Sequence, residues 1–437
     1  MGTISPSEGK KTMIQIAILG CGTVASGVIR LLALHGESIR DQLGEEVAIR
    51  KVLARTPAKA LALGLTEDRI CSDFSEILHD PEISVVIELI GGTGDAYTYI
   101  LQSLEAGKHV VTANKDLIAT HFQELSEIAA AHNVRFAFEA SVGGGIPLVD
   151  SIRRTLAANR ITSMYGILNG TTNYILTKMT QDGLSYDEAL ADAQRLGYAE
   201  ADPTADVGGG DAARKIAILS MLAFHSPVSY YDVYHEGIPG ITPTDIRFAD
   251  RSGYVFKLLG IARQYADSCD AYVRPALVPK RHPLASVSDS FNAVFVIGDA
   301  VGEVMLYGRG AGSLPTASSV VGDLMNIVRA SRGHTAAAIS CYEHLPVRDI
   351  LDSENVYYVR LCVKDRPMVL ARVARVFGEH GVSLRSLVQE SHEGDRAELL
   401  LFTHRASQRD LSAAMEDLNV LDSVYESAFW IVMEEDA

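Results

Sequence analysis

Asp211 and Lys215 stand four residues apart in the run Asp211-Ala212-Ala213-Arg214-Lys215. On a helix that spacing puts an acid and a base on one face. On an open surface such a pair is an ordinary solvated contact worth little. This pair follows the glycine loop Asp206-Val207-Gly208-Gly209-Gly210 and precedes an apolar run at 216–222, an unusual setting for a solvated helix face. A lysine steadied by a carboxylate can give a proton to an oxygen that is gaining negative charge. A second lysine, Lys115, directly follows a strand-like run at 109–112. Doubly wound sheets bind ligands at the carboxyl ends of their strands, so a fixed cation there can stabilise developing negative charge.

The run Ile16-Ala17-Ile18-Leu19-Gly20-Cys21-Gly22-Thr23-Val24-Ala25 reads as a strand, a G-x-G-x-x-A turn and a helix start. Gly20 permits the turn, and Gly22 lets a pyrophosphate approach the backbone. The helix that Thr23 and Val24 open offers N–H donors to the anion, and Ala25 allows close packing. At the end of the next strand-like run, at 47–54, stands Arg55 where an NAD site usually places Asp or Glu. Arg55 can pair with a 2′-phosphate, so NADP is favoured over NAD.

Several elements must position these groups. Short apolar runs at 14–19, 47–54, 85–89, 109–112 and 135–138 alternate with helical patterns such as 25–35 and 120–132. That alternation predicts an α/β fold with a Rossmann-type, parallel, doubly wound sheet over 13–147. A mixed α+β region over 148–310 holds helical stretches at 186–196 and 211–224, and a further helix is predicted at 316–329. The segment 330–349 reads as a connector. From 354 to 437 the order is strand 356–363, helix 367–379, strands 383–390 and 397–403, helix 411–418 and strand 424–432. This is the βαββαβ, ferredoxin-like unit.

Composition excludes several classes. The chain has 437 residues, is 47% hydrophobic and carries a formal net charge of −16. Such a balance disfavours nucleic acid and anionic membrane surfaces as partners. The five cysteines, Cys21, Cys71, Cys269, Cys341 and Cys362, are scattered, with no zinc spacing and no pairing pattern. Free thiols, no apolar run of membrane length and no signal-peptide core in 1–11 together predict a cytoplasmic protein with a short disordered tail.

Longer motifs bring a resemblance. They are Glu88-Leu89-Ile90-Gly91-Gly92-Thr93, Gly107 to Lys115, Glu139 to Pro147, Leu168-Asn169-Gly170-Thr171-Thr172-Asn173-Tyr174, Gly197-Tyr198-Ala199-Glu200-Ala201-Asp202-Pro203, Gly210 to Lys215, and Tyr307 to Gly312 with Pro315-Thr316. In order and spacing, from about 14 to 329, they resemble the homoserine dehydrogenase family. The resemblance implies reversible NAD(P)H-dependent reduction of L-aspartate 4-semialdehyde to L-homoserine. It makes Lys215 the proton donor and Asp211 its orienting partner. Glu200 becomes the ligand of the substrate ammonium, with Asp206, Tyr198 and Thr171 completing the pocket. Lys115 lies between nicotinamide and substrate in that family. Gly20, Gly22, Thr23, Val24, Arg55, Gly92, Thr93 and Lys115 contact the cofactor, as does Gly312, from which the chain returns to the nucleotide domain over about 311–335. The Glu139 side chain and the carbonyls of Val142, Gly144 and Ile146 resemble the family's monovalent-cation site. Those hard oxygens suit sodium in a structural role rather than zinc.

The segment 356–433 resembles an ACT domain through Asp365-Arg366-Pro367, Val369-Leu370, His380-Gly381-Val382-Ser383-Leu384 and Gln389. Met368 departs from that pattern, which usually has glycine there. An amino-acid effector, threonine, and a homodimer or homotetramer follow from the resemblance. Three rivals are weaker. A phosphorylating semialdehyde dehydrogenase needs a nucleophilic cysteine among the motifs, and only Cys21, inside the phosphate turn, comes near. A 2-hydroxy acid dehydrogenase needs a histidine–carboxylate pair and an arginine at a spacing absent here. A catalytically inactive amino-acid sensor on the same fold would have no need to keep Lys215, Asp211, Glu200 and Lys115 together.

Overall fold

The computed structural model describes residues 13–331, 344–391, 395–425 and 428–433. The tail at 1–11, Cys341, most of the connector at 330–349 and residues 392–394, between the predicted strands 383–390 and 397–403, lie outside them. The described residues fall into two compact units. One is drawn from Met1–Ala158, Met221–Ser229 and Gly308–His344, the other from Asn159–Ser220, Tyr230–Tyr307 and Leu345–Ala437.

The first unit is built on strands β1 (Met13–Leu19), β2 (Glu46–Leu53), β3 (Ile70–Cys71), β4 (Ile83–Glu88), β5 (His109–Thr112) and β6 (Phe136–Ala137). They form one sheet in the order β3-β2-β1-β4-β5-β6, with every pairing parallel. Parallel strands are covered on both faces and read as continuous apolar runs. Ile16, Ala17, Ile18 and Leu19 are accordingly fully buried. Strand order reverses between β1 and β4, which opens a crevice at their carboxyl ends. The helix after β1 is longer than its predicted core, Thr23–Leu43, and ends where Gly44 turns left-handed at φ 71°. The helix Ser313–Ala330 packs on it, through Ala317, Val320, Val321 and Leu324 in one core with Ala25, Val28 and Ile29. The predicted strand at 135–138 shrinks to two residues.

In the second unit, β7 (Ile161–Ile167), β8 (Tyr234–His235), β9 (Tyr254–Gln264), β10 (Cys269–Pro279), β11 (Phe291–Gly298), β12 (Gly302–Arg309), β13 (Glu354–Lys364), β14 (Leu384–Ser391), β15 (Arg396–Thr403), β16 (Ala406–Ser407) and β17 (Phe429–Met433) make one mixed sheet. Its main path runs β12-β11-β7-β9-β10-β17-β13-β15-β14. The last four strands, with helices Val369–Glu379 and Gln408–Asn419, are the βαββαβ module. Its final strand is shorter than the predicted 424–432. Val424 makes only an isolated bridge to Val363, and the ladder to β13 begins at Phe429. The module's sheet does not stop at its own edge, because β17 pairs in parallel with β10 through Val432 and Met433.

Candidate active site

Gly20 adopts φ +98°, and a Cβ there would sit 2.9 Å from the Leu89 carbonyl oxygen, so only glycine fits. At Gly22 a Cβ would meet nothing within 4 Å. The space above the first turn of Thr23–Leu43 is therefore open, as a pyrophosphate requires. The cleft at this point has a volume of about 1000 Å³ and is lined by Gly20, Cys21, Gly22, Arg55, Thr56, Lys59 and Asp95, among others. Arg55 is exposed and lies 3.4 Å from Asp95. Close by, buried Glu88 shapes the loop after β4. Its Oε1 accepts the N–H groups of Ile90 and Gly91 at 2.7 and 2.9 Å, and its Oε2 accepts the Thr112 hydroxyl at 2.5 Å. Asn114 Nδ2 donates to the Gly92 carbonyl at 2.7 Å, and its Oδ1 caps the helix that Lys115 opens. Gly91 and Gly92 hold φ of 81° and 74°. Gly92 and Thr93 are exposed, and Lys115 is half-buried at the carboxyl end of β5. Gly312 caps the helix Ser313–Ala330 at φ 119°. Ser313 Oγ donates to the carbonyl of Thr23 at 2.8 Å.

The second unit gathers a polar cluster. On the helix Gly210–Phe224, Lys215 Nζ donates to Asp211 Oδ2 and to the Leu168 carbonyl, both at 2.7 Å. Both side chains of the pair are about nine-tenths buried, at 12% and 10% exposed. Asn169 Nδ2 bridges Asp206 Oδ1 at 2.8 Å and Asp211 Oδ2 at 2.9 Å. Its Oδ1 accepts from Thr172 N–H and caps the helix Gly170–Gln181. Thr171 Oγ1 donates to the Tyr198 carbonyl at 2.5 Å and lies 3.4 Å from Asp206 Oδ2. The lysine is thus held by two fixed acceptors and the two carboxylates by the shared donor Asn169, an arrangement suited to passing a proton and gripping a polar substrate.

In the loop after β6, Glu139 is buried, and burial raises its carboxyl above the ordinary range. Its two oxygens accept the N–H groups of Val149 and Asp150 at 2.8 and 2.7 Å. The Gly144 carbonyl accepts the Ser319 hydroxyl at 2.7 Å, and the Ile146 carbonyl accepts Leu148 N–H at 2.8 Å. With Val142 these are oxygen ligands of the type a hard cation takes, and those of Glu139, Gly144 and Ile146 are each engaged by donors of the protein. In the C-terminal module, Lys364, Asp365, Arg366, Met368, Leu370 and Gln389 line a cleft of about 720 Å³. Gln389 Nε2 donates to Asp365 Oδ1 at 3.0 Å.

Three family models match the chain: the homoserine dehydrogenase model over residues 147–325, its NAD-binding domain over 20–139 and the ACT domain over 357–423. The homoserine dehydrogenase of Corynebacterium glutamicum is 42% identical over 420 residues, covering 95% of this chain and 94% of that one. The chain belongs to the homoserine dehydrogenase family. The crystal structure of a homoserine dehydrogenase from Thiobacillus denitrificans superposes with a TM-score of 0.91 at 39% identity, covering 97% of this chain and 98% of that one. A hyperthermophilic archaeal homoserine dehydrogenase in complex with NADPH matches at a TM-score of 0.64 and 25% identity, covering 74% of this chain and all of that one. The chain is thus an oxidoreductase with an NAD(P)-binding domain, a homoserine dehydrogenase catalytic domain and an ACT domain.

Of the residues that the family resemblance singles out, the structure gathers Lys215, Asp211, Asp206 and Thr171 in one cluster, with Tyr198 joined by its carbonyl. Glu200 stays apart: it is exposed, and among the described residues its carbonyl accepts from Gln194 Nε2 at 3.1 Å. Sequence reasoning missed Asn169 and Lys59. Asn169 sat in a quoted motif, where an asparagine before a helix reads as a cap and no more. Lys59, on the short helix Pro57–Leu61, lines the cleft together with Arg55. Burial raises the thiol pKa of Cys21, and pushes those of Cys71 and Cys269 up to about 11. None of the three is poised as a nucleophilic thiolate.

Proposed function

We propose that this chain interconverts L-aspartate 4-semialdehyde and L-homoserine with Lys215 as its proton donor. The observation that carries the reading is the buried Lys215–Asp211 pair at 2.7 Å, tied by Asn169 to Asp206. A bound nicotinamide supplies the hydride that reduces the aldehyde carbon. As the substrate oxygen gains charge, Lys215 Nζ gives it a proton. Asp211 Oδ2 and the Leu168 carbonyl fix the direction of that ammonium beforehand, so little reorganisation accompanies the step. In the reverse direction Lys215 accepts the proton from the hydroxyl. Asp206, Thr171 and Tyr198 shape the substrate pocket, and Glu200, exposed in this structure, takes the substrate ammonium. Lys115 adds a positive charge that stabilises the developing oxyanion.

NADP is the favoured cofactor. Supporting this is the basic pair Arg55 and Lys59 lining the cleft beside the end of β2, where an NAD site carries an acid. Gly20, Gly22, Thr23, Val24, Gly92, Thr93 and Gly312 would hold the rest of the dinucleotide. Sodium would sit on Glu139 and the carbonyls of Val142, Gly144 and Ile146, in a structural role. The ACT domain would bind threonine and lower activity, in a cytoplasmic homodimer or homotetramer.

The test is NADPH oxidation with aspartate 4-semialdehyde by wild type and Lys215→Ala. The variant should lose on the order of 10²–10⁴-fold in turnover, and full activity in it would overturn the assignment. The same assay with NADH, with choline in place of sodium, and with added threonine checks cofactor, cation and effector. An unchanged rate in any one of these removes that part of the reading.

A further inference from the structure

Arg274, in the middle of β10, is fully buried, at 0% exposed. Removing a guanidinium from water is costly unless partners replace the lost hydration. Its Nη1 donates to Gln408 Oε1 at 2.8 Å, and its Nη2 donates to Glu236 Oε2 at 3.1 Å. The guanidinium carbon lies 4.8 Å from the centre of the Trp430 ring, and its Nε has no hydrogen-bond partner among the described residues. An apolar side chain would fill this strand position at less cost, so the packing of the sheet does not explain the arginine. Its partners do. Gln408 opens the helix Gln408–Asn419 and Trp430 lies on β17, so both belong to the C-terminal module. Glu236 belongs to the loop that follows β8.

That loop has no slack against the catalytic segment. Glu236 N–H donates to the Val273 carbonyl at 2.9 Å, and Ile238 N–H donates to the Val207 carbonyl at 3.0 Å. A Cβ on Gly237 would lie 2.0 Å from the Val207 oxygen, and one on Gly209 would lie 3.0 Å from the Glu236 oxygen. The two backbones therefore touch directly. Residues 207–209 join Asp206 to the helix that carries Asp211 and Lys215. Further along the same loop, a Cβ on Gly240 would lie 3.0 Å from the Phe429 ring on β17. A shift of the module that moves Gln408, Trp430 or Phe429 reaches this loop through Glu236 and Gly240. The loop lies directly against 207–209.

We propose that Arg274 is a positioning residue for the dehydrogenase reaction. Through Glu236 it ties the C-terminal module to the segment that sets Asp206 and Asp211, and so governs use of the amino-acid substrate without touching it. This rests on the reading of Asp206, Asp211 and Lys215 as the substrate cluster.

The test is a double-mutant cycle in the full-length chain with Gln408→Met and Glu236→Gln. Both substitutions preserve shape; the first removes an acceptor of the guanidinium and the second removes the negative charge that pairs with it. Each single variant should lower kcat/KM for L-homoserine by roughly 2- to 30-fold and leave the KM for NADP unchanged. The double variant should be no worse than the more affected single variant, because both act through Arg274. Losses that multiply in the double variant would overturn the proposal, as would wild-type kinetics in both singles. A fall in cofactor and substrate parameters together with Tm would show a merely structural role and overturn it too. The reading of the cluster fails separately, through an active Lys215→Ala. The cycle compares only proteins that retain Lys215.

Discussion

Asn169 shows what a single side chain can carry that its type does not announce. One amide caps a helix with its oxygen and holds two carboxylates with its nitrogen. Without it, Asp206 and Asp211 lose the donor they share. A hydrogen bond to a charged group is worth about 1.5–3 kcal/mol. Asn169→Ala should therefore cost about 10- to 100-fold in kcat/KM for homoserine and leave cofactor binding intact, and steady-state kinetics in both substrates checks this. A second buried polar residue carries a pH signature. Lys257 Nζ donates to Asn173 Oδ1 at 3.1 Å and to the Val287 carbonyl. Burial pushes its pKa down to about 8, against 10.5 when free. Below about pH 8 both folded and unfolded chains hold the proton, and the cost of burying the charge is present in full. Between about 8 and 10.5 the folded chain releases the proton first, so stability rises with pH there, by up to about 3 kcal/mol. Thermal melts should show wild type gaining on Lys257→Met across that window, and parallel curves would contradict it. The pairing of Lys215 with Asp211 was legible in the four-residue spacing, whereas its catalytic reading came from the resemblance to the family. Asn169 and Lys257 were not legible, because a cap and a surface lysine are what such residues ordinarily mean.

At the scale of elements, legibility followed burial on both faces. The parallel strands of the first sheet read as unbroken apolar runs, and their helices alternate with them. The long antiparallel pair β9 and β10 was seen only as strand-like patches. Lys257 lies within β9, and Arg274 and Pro275 within β10, so charge and proline interrupt the patterns by which strands are read. Helix limits were misjudged where a packing partner lies far off in sequence. Thr23–Leu43 meets Ser313–Ala330 so closely that a Cβ on Gly27 would lie 2.4 Å from the Ser313 carbonyl oxygen. Alanine is the better helix former by about 1 kcal/mol. Here it would force backbone apart, at a cost of about 1–3 kcal/mol. Gly27→Ala should accordingly lower Tm, although the same substitution at an open glycine of the helix, Gly36, should raise it. Equal shifts at the two positions would show that the helix pair is not held at contact distance.

For the whole molecule, the order of elements identified a βαββαβ module, but not that its last strand would be shared. Strand pairing across more than 150 residues leaves no local trace. Yet it decides whether the module is an appendage or part of the catalytic body. The parallel pairing of Ala276 and Leu277 with Val432 and Met433 puts the module's sheet and the catalytic sheet in register. Around that seam, Asp245 is fully buried, accepts the hydroxyl of Tyr358 at 3.0 Å and forms an ion pair with Arg360, whose Nε lies 2.8 Å from its Oδ1. Phe248 stacks on Tyr358 with ring centres 5.4 Å apart. Cutting the chain before Glu354 would leave Asp245 and Arg274 without these partners. It would also leave Ala276 and Leu277 of β10 without their strand partners, an open apolar edge that can template aggregation. A chain ending at residue 353 should therefore be poorly soluble or melt well below the full-length protein, and lose turnover even without any effector. Should that shortened chain stay monodisperse with full kcat and an unchanged Tm, the shared sheet would be incidental. The module would then act on catalysis only through what it binds.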